Sequence, residues 1–269
     1  MFLEKNASQD MENPEPLEEA PWKVRIDKIR ERSPANLENI LSYWSDPNKS
    51  RIYQIVDAVK KPENQKEIEH IKETLKVTIN TNLEAFLAIS RDEKIRTLAE
   101  LPDRCNVFKY RKESEARLNI QPEGNEKDPE LVYGALTHNT RLDDQCGGAP
   151  IYGDTIFILK TENIENRTTF TLGDSSGVKG PNEIVTWDYV APLKFIRDHF
   201  PRLQDMYVEA QIAGGVRLDD IEEIKIKIYS TERREEIEND PDFNSFKTKH
   251  PEIRISFIEI KNNSQNTKL

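Results

Sequence analysis

Glu209 and Gln211 stand two positions apart in "DMYVEAQIAGGV", residues 205–216, with Val208 before them and Ile212 after. Residues i and i+2 of a strand point to the same side. A strand here therefore sets a carboxylate beside an amide on one face and keeps apolar groups on the other. Such a pair can hold sugar hydroxyls, stabilise positive charge as it develops, or orient a nucleophile. Gly214 and Gly215 follow, and residues without a Cβ let another group approach closely. The plainer account is a solvated strand face.

Four further stretches gather polar residues and glycines: "YRKE" (110–113), "YGALTHNTR" (133–141), "QCGGAPIYGDT" (145–155) and "TFTLGDSSG" (169–177). Several fall at the ends of expected strands, where sites are commonly built. Each has an ordinary explanation. Arg111 lies among Lys109, Lys112 and Arg117 and suits a solvated basic edge. Thr155, Thr169 and Thr171 are what β-propensity puts on strands. "GDSSG" is a good turn, and Tyr133 is an acceptable core aromatic.

The joint order of "VYGALT", "YGDTIFILK", "RTTFTLGDSS" and "YVEAQIAGGVRLDDIE" resembles a poorly characterised bacterial domain family. Its corresponding runs read YGAL, FGS plus an apolar strand, R-x-TF-x-x-GDS and Y-[IV]-EAQ-[IV], and an upstream Tyr-Arg pair matches Tyr110-Arg111. That family is similar to the mono-ADP-ribosyltransferases, which include toxins and secreted bacterial effectors. The resemblance spans roughly residues 105–225.

The resemblance implies a fold, a co-substrate and roles. The fold is α+β and ADP-ribosyltransferase-like, with a largely antiparallel β core. NAD is the co-substrate and no metal is needed. Arg111 would meet the pyrophosphate through its planar fork, with Tyr110 beside it, and Tyr133 and Gly134 would lie where NAD passes the backbone. A Ser/Thr element would support the nicotinamide pocket, with Thr155 and Ser175 as the two candidates. Glu209 would be the catalytic carboxylate beside the nicotinamide ribose, and Gln211 its neighbour. The usual signature is Glu-x-Glu or Gln-x-Glu with the catalytic glutamate second, whereas this chain has Glu-x-Gln. Either Glu209 acts with Tyr207 in the preceding same-face position, or Gln211 fills the second position and the chain is a degenerate interaction module. The implied acceptor is a protein side chain, arginine first, on a host protein.

A second enzyme reading uses Cys146 in "DDQCGGAP" with His199 and either Asp188 or Asp198. A nucleophilic thiol is commonly activated at a helix N-terminus, and Gly147, Gly148 and Pro150 argue for a loop after Cys146. No Walker loop, GxGxxG or GxSxG is present. The two cysteines and four histidines form no zinc-ligand spacing.

These residues need elements to position them. The chain has 269 residues, 36% hydrophobic and 33% charged, with a net charge of −10. That charge argues against a nucleic-acid partner, which needs clustered cations. No apolar run reaches the ~20 residues of a membrane span, and residues 1–20 lack a signal-peptide apolar core. A cytoplasmic protein is expected, or one delivered to a host cytosol by a signal-peptide-independent route. Residues 1–21 read as a flexible acidic tail and 22–102 as a helical N-terminal region. There Ser33 caps a helix that begins at Pro34 and ends before Pro47. A second helical pattern carries Ile68, Ile71, Leu75, Ile79, Leu83, Phe86 and Leu87, and "RDEKIRTLAEL" follows as a short helix. Residues 103–269 read as the α+β domain. Its strands are expected in "CNVFKY", "LVYGALT", "DTIFILK", "TTFTLG", "MYVEAQIAG", "IKIKIYS" and "IRISFIEI", and its helices at 191–200 and at 231–246, the latter broken by Pro241.

Overall fold

Leu75, Val77 and Ile79 alternate with Lys76, Thr78 and Asn80, and the chain is extended there as β1 (Leu75–Thr81). The computed structural model describes residues 21–44, 57–92, 94–95, 131–138, 153–175, 180–199 and 207–260. The other main strands are β3 (Leu131–His138), β4 (Thr155–Leu159), β5 (Thr168–Leu172), β6 (Val185–Thr186), β7 (Val208–Ala213), β9 (Ile221–Ile228) and β10 (Arg254–Glu259). Two short strands, β2 (Lys94–Ile95) and β8 (Val216–Arg217), pair separately. Among the described residues the main sheet has eight strands, in the order β10-β9-β4-β1-β3-β7-β5-β6. Only β10 with β9 is parallel; the remaining pairs are antiparallel. The expected α+β architecture with a largely antiparallel core is the one observed.

Directly opposed residues share a side of the sheet, so the register sorts the two faces. One face carries Val77, Ile79, Val132, Leu136, Phe157, Phe170, Val208, Ala210, Ile212 and Ile224. These belong to the main core, and helices cover them. Phe86 is fully buried in that layer, its ring edge-on to Phe157, Phe243 and Phe246 at 5.8, 6.2 and 5.2 Å. The other face carries Thr78, Tyr133, Ala135, Thr169, Thr171, Glu209 and Gln211, and on β9 and β10 Glu223, Lys225, Arg254 and Ser256. Its polar groups are paired: Glu223 accepts from Arg254 Nη2 at 2.6 Å and from Ser256 Oγ at 2.9 Å.

The helices are α1 (Pro21–Trp44), α2 (Pro62–Thr74), α3 (Leu83–Asp92), α4 (Thr161–Ile164), α5 (Trp187–His199), α6 (Thr231–Glu238) and α7 (Pro241–Lys249). Among the described residues no helix is long and apolar enough to cross a membrane. The break at Pro241 is as expected, with Asp240 capping α7 through the backbone N–H groups of Asp242 and Phe243.

Two expectations in the N-terminal third need correction. The run from Ile68 to Leu87 is not one helical pattern, because β1 lies inside it and pairs with β3 and β4 near the middle of the sheet. The β-branched Val77, Thr78 and Ile79 favour extension, and two pairing partners outweigh the helical spacing. Nor does a helix begin at Ser33. α1 runs through that point with Pro34 in its interior, and the Ser33 hydroxyl bonds back to the Ile29 carbonyl at 2.8 Å. "RDEKIRTLAEL" contributes the end of α3 and then β2, and residues 96–101 lie outside the described ones.

Candidate active site

β7 is buried along its whole length. It can be so on both faces because its polar side is lined by hydroxyls from the strand beside it. The register sets Thr169 opposite Gln211 and Thr171 opposite Glu209 on β5, and Tyr133 opposite Gln211 and Ala135 opposite Glu209 on β3. Glu209 is 2% exposed and Gln211 1%. A carboxylate and an amide at that depth must be met by hydrogen bonds.

They are. The Thr169 hydroxyl donates to Gln211 Oε1 at 3.1 Å. Gln211 Nε2 donates to Thr171 Oγ1 at 3.0 Å and to Glu209 Oε1 at 3.1 Å. Thr171 passes its own proton to the Gly173 carbonyl at 3.1 Å. The backbone N–H of Ser175 donates to Glu209 Oε1 at 3.1 Å, and the Tyr207 hydroxyl to Oε2 at 3.2 Å. Three donors thus converge on one carboxylate, and the Gln211 amide is spent on β5 and on Glu209. Gln211 therefore lies hydrogen-bonded between Glu209 and the two threonines of β5.

Of the two candidates for the Ser/Thr element, the structure brings Ser175 to Glu209 and keeps Thr155 away. Thr155 is on β4, with β1 and β3 between it and β7, about 14 Å at ordinary strand spacing. It also opposes Thr81 and Ile226 on the apolar side. Its hydroxyl is buried there with no hydrogen-bond partner among the described residues. Thr169, Thr171 and Tyr207 complete the network. Alternation along "TTFTL" could have paired the two threonines on one face, but their register against β7 is a tertiary fact.

Tyr133 faces the site side and packs partly buried in a small apolar cluster with Trp22, Ile26, Ile29, Leu131, Ile184 and Ala213. Gly134 turns to the apolar side. A Cβ there would lie 2.7 Å from the Thr78 carbonyl oxygen, so the glycine serves the close approach of β1. The glycines after β7 have φ of +76°. What approaches Gly214 is Trp22, whose indole nitrogen lies 3.4 Å from where a Cβ would stand. Arg167, the arginine of "RTTFTLGDSS", fixes that turn. It bonds the carbonyls of Ala213 (2.8 Å) and Gly215 and pairs with Asp220 at 2.6 Å.

Tyr110, Arg111 and Cys146 lie outside the described residues. His199, the base in the thiol reading, stacks on Phe195 at 4.2 Å. Its Nδ1 sits 2.9 Å from the Phe195 carbonyl and its Nε2 3.4 Å from Glu67. Asp198 is committed to Lys194 and Arg197. Burial pushes its carboxyl up, and the hydrogen bonds and charges of those two cations outweigh it, holding the group below the ordinary carboxylate value.

No protein-family model matches the chain, and no curated protein does. Among solved structures it is similar to three of Thermus sp. 2.9 DarT. The one in complex with ADP-ribosylated ssDNA aligns at 14% identity with a TM-score of 0.43, covering 69% of this chain and 94% of that one. The complex with NAD+ gives 13%, 0.42, 68% and 94% for the same quantities. The complex with carba-NAD+ gives 15%, 0.41, 71% and 96%.

Proposed function

We propose that this chain transfers ADP-ribose from NAD to a macromolecular acceptor, with Glu209 as the catalytic carboxylate. The observation that carries the reading is the convergence of Gln211, the Ser175 N–H and the Tyr207 hydroxyl on Glu209 in a buried polar face. A carboxylate held so rigidly is preorganised to stabilise charge that appears only during reaction. The bond between the ribose C1′ and the nicotinamide nitrogen breaks, and its electron pair leaves with nicotinamide. The positive charge left on the ribose faces Glu209, which also accepts a hydrogen bond from a ribose hydroxyl. The acceptor then attacks C1′, and its proton passes to Glu209 and from there to solvent.

Gln211 and Ser175 position the carboxylate, with Thr169 and Thr171 holding Gln211 in turn. Tyr207, partly buried at the start of the strand, occupies the same-face position before Glu209 and is the group an acceptor meets. Tyr110 and Arg111 supply the pyrophosphate contact, and Tyr133, on the polar face, lines the path of the dinucleotide. The acceptor proposed is a protein side chain, arginine first, on a host protein reached by a bacterial effector. The net charge of −10 supports a protein over a phosphate backbone. The structure of Thermus sp. 2.9 DarT with ADP-ribosylated ssDNA makes an oligonucleotide the competing acceptor in the test.

Nicotinamide release from NAD by the purified chain is the assay, run beside Glu209→Gln and with labelled NAD offered to lysate proteins and to a single-stranded oligonucleotide. Glu209→Gln should melt with the wild type and lose about 10²–10³-fold in turnover. Turnover that survives this substitution, or no NAD response at all, removes the assignment and leaves an interaction module. Label on the oligonucleotide alone removes the protein acceptor.

A further inference from the structure

The five groups of the site, Thr169, Thr171, Ser175, Glu209 and Gln211, are each 0–2% exposed, so a ligand reaches them only if something moves. The end of the polar face beside Gln211 is roofed by α1. Trp22, Ile26 and Ile29 pack there against Leu131, Ala213, Ile184 and Tyr133. Tyr133 is the cross-strand neighbour of Gln211, and Ala213 is the next same-face residue on β7.

α1 is anchored differently in its two halves. Ile26 and Ile29 belong to the small cluster, which is separate from the main core, whereas Leu37 and Ile40 belong to the main core with Ile68 and Ile71. Between the halves stands Pro34. It has no N–H to give the Arg30 carbonyl, and its ring crowds that same group. Ser33 back-bonds to the Ile29 carbonyl one turn earlier, a contact that favours bending. The Ser33 hydroxyl also accepts from the Thr186 N–H at 3.1 Å. Asn36 Nδ2, on the far side of Pro34, donates to the Pro181 and Ile184 carbonyls at 3.1 and 2.7 Å. The outer half thus packs through Trp22, Ile26 and Ile29, with the Ser33 hydroxyl on Thr186 and an ion pair from Arg30 to Asp188 at 3.4 Å, whereas the inner half is built into the main core.

We infer that residues 22–33 form a cover hinged at Pro34, which swings off the Tyr133–Gln211 end of the polar face while residues 35–44 stay docked. That the cover exists does not depend on the NAD reading; that it admits NAD rests on it.

The test reads the two separately in the full-length protein. In the ligand-free protein, backbone amides of 22–33 should exchange with solvent faster than those of 35–44, with the step at Pro34. The side-chain amide of Gln211 should exchange in parallel with the outer half. Ile26→Ala should speed both by about tenfold, since local opening follows the apolar contacts that hold a segment, and Pro34→Ala should slow both. Uniform exchange across α1 overturns the hinge. A Gln211 amide that ignores Ile26→Ala overturns the cover, whatever NAD does. If the cover admits NAD, Ile26→Ala also raises nicotinamide release severalfold. Release that depends on Glu209 but ignores Ile26→Ala overturns the gating role. Absence of release from every variant, with the exchange pattern as described, removes the NAD reading and leaves the cover standing.

Discussion

The two faces of the sheet are equally buried at β7 and are held by different physics. On the apolar face, Val208, Ala210 and Ile212 share the main core with Phe170, whose ring stands 5.3 Å from that of Trp187, and the constraint is volume. On the polar face, Glu209 and Gln211 meet Thr169, Thr171, Ser175 and Tyr207, and the constraint is direction, because each donor needs an acceptor at a set angle. A core of rings tolerates adjustment by small shifts. A core of directed bonds keeps one arrangement.

Three substitutions break or sharpen this contrast, beyond the Glu209 experiment. Phe86→Ala opens a hole among three rings and should cost about 3–5 kcal/mol by denaturant unfolding. Nicotinamide release measured well below the melting point should fall little by comparison. Gln211→Met keeps the bulk but strands the Thr169 donor, the Thr171 acceptor and one contact to Glu209. It should cost about 2–3 kcal/mol and, unlike Phe86→Ala, depress turnover even where the protein is fully folded. If Gln211→Met is silent in both assays, direction does not matter on this face. Thr155→Val is the smallest. It removes a buried hydroxyl that lacks a partner among the described residues, so stability should stay within about 1 kcal/mol and move upward if at all. Its release rate should equal the wild type's. A large loss of turnover would mean that Thr155, and with it the apolar face, takes part in the chemistry.

Much of the second half of the chain was legible beforehand, because alternation is a local signal. "LVYGALT", "DTIFILK", "TTFTLG", "MYVEAQIAG", "IKIKIYS" and "IRISFIEI" all contain strands, and the shared face of Glu209 and Gln211 follows from that alternation alone. The first half misled because local signals competed there. Ile68, Ile71, Leu75 and Ile79 keep a helical spacing across the point where α2 gives way to β1. Only pairing with β3 and β4, more than fifty residues downstream, decides for a strand. Ser33-Pro34 reads as a helix start because it is a weak place in a helix, and the structure uses it inside one. Within the site, the rivalry of Thr155 and Ser175 could not be decided along the chain. Sequence spacing measures neither the strands between two residues nor the side of the sheet on which each lies.

The place of β7 in the strand order has a kinetic consequence. β3 and β5 both precede it in the chain, and each waits for it as a neighbour. As the polypeptide is made, the two therefore present bare edges until residue 213 is available, and bare edges invite pairing with the wrong chain. Closure then depends on contacts distant in sequence, the slow kind. Glu209 acquires its surroundings in that same late step, so a chain interrupted before β7 lacks both the carboxylate and the strand that joins the two parts of the sheet.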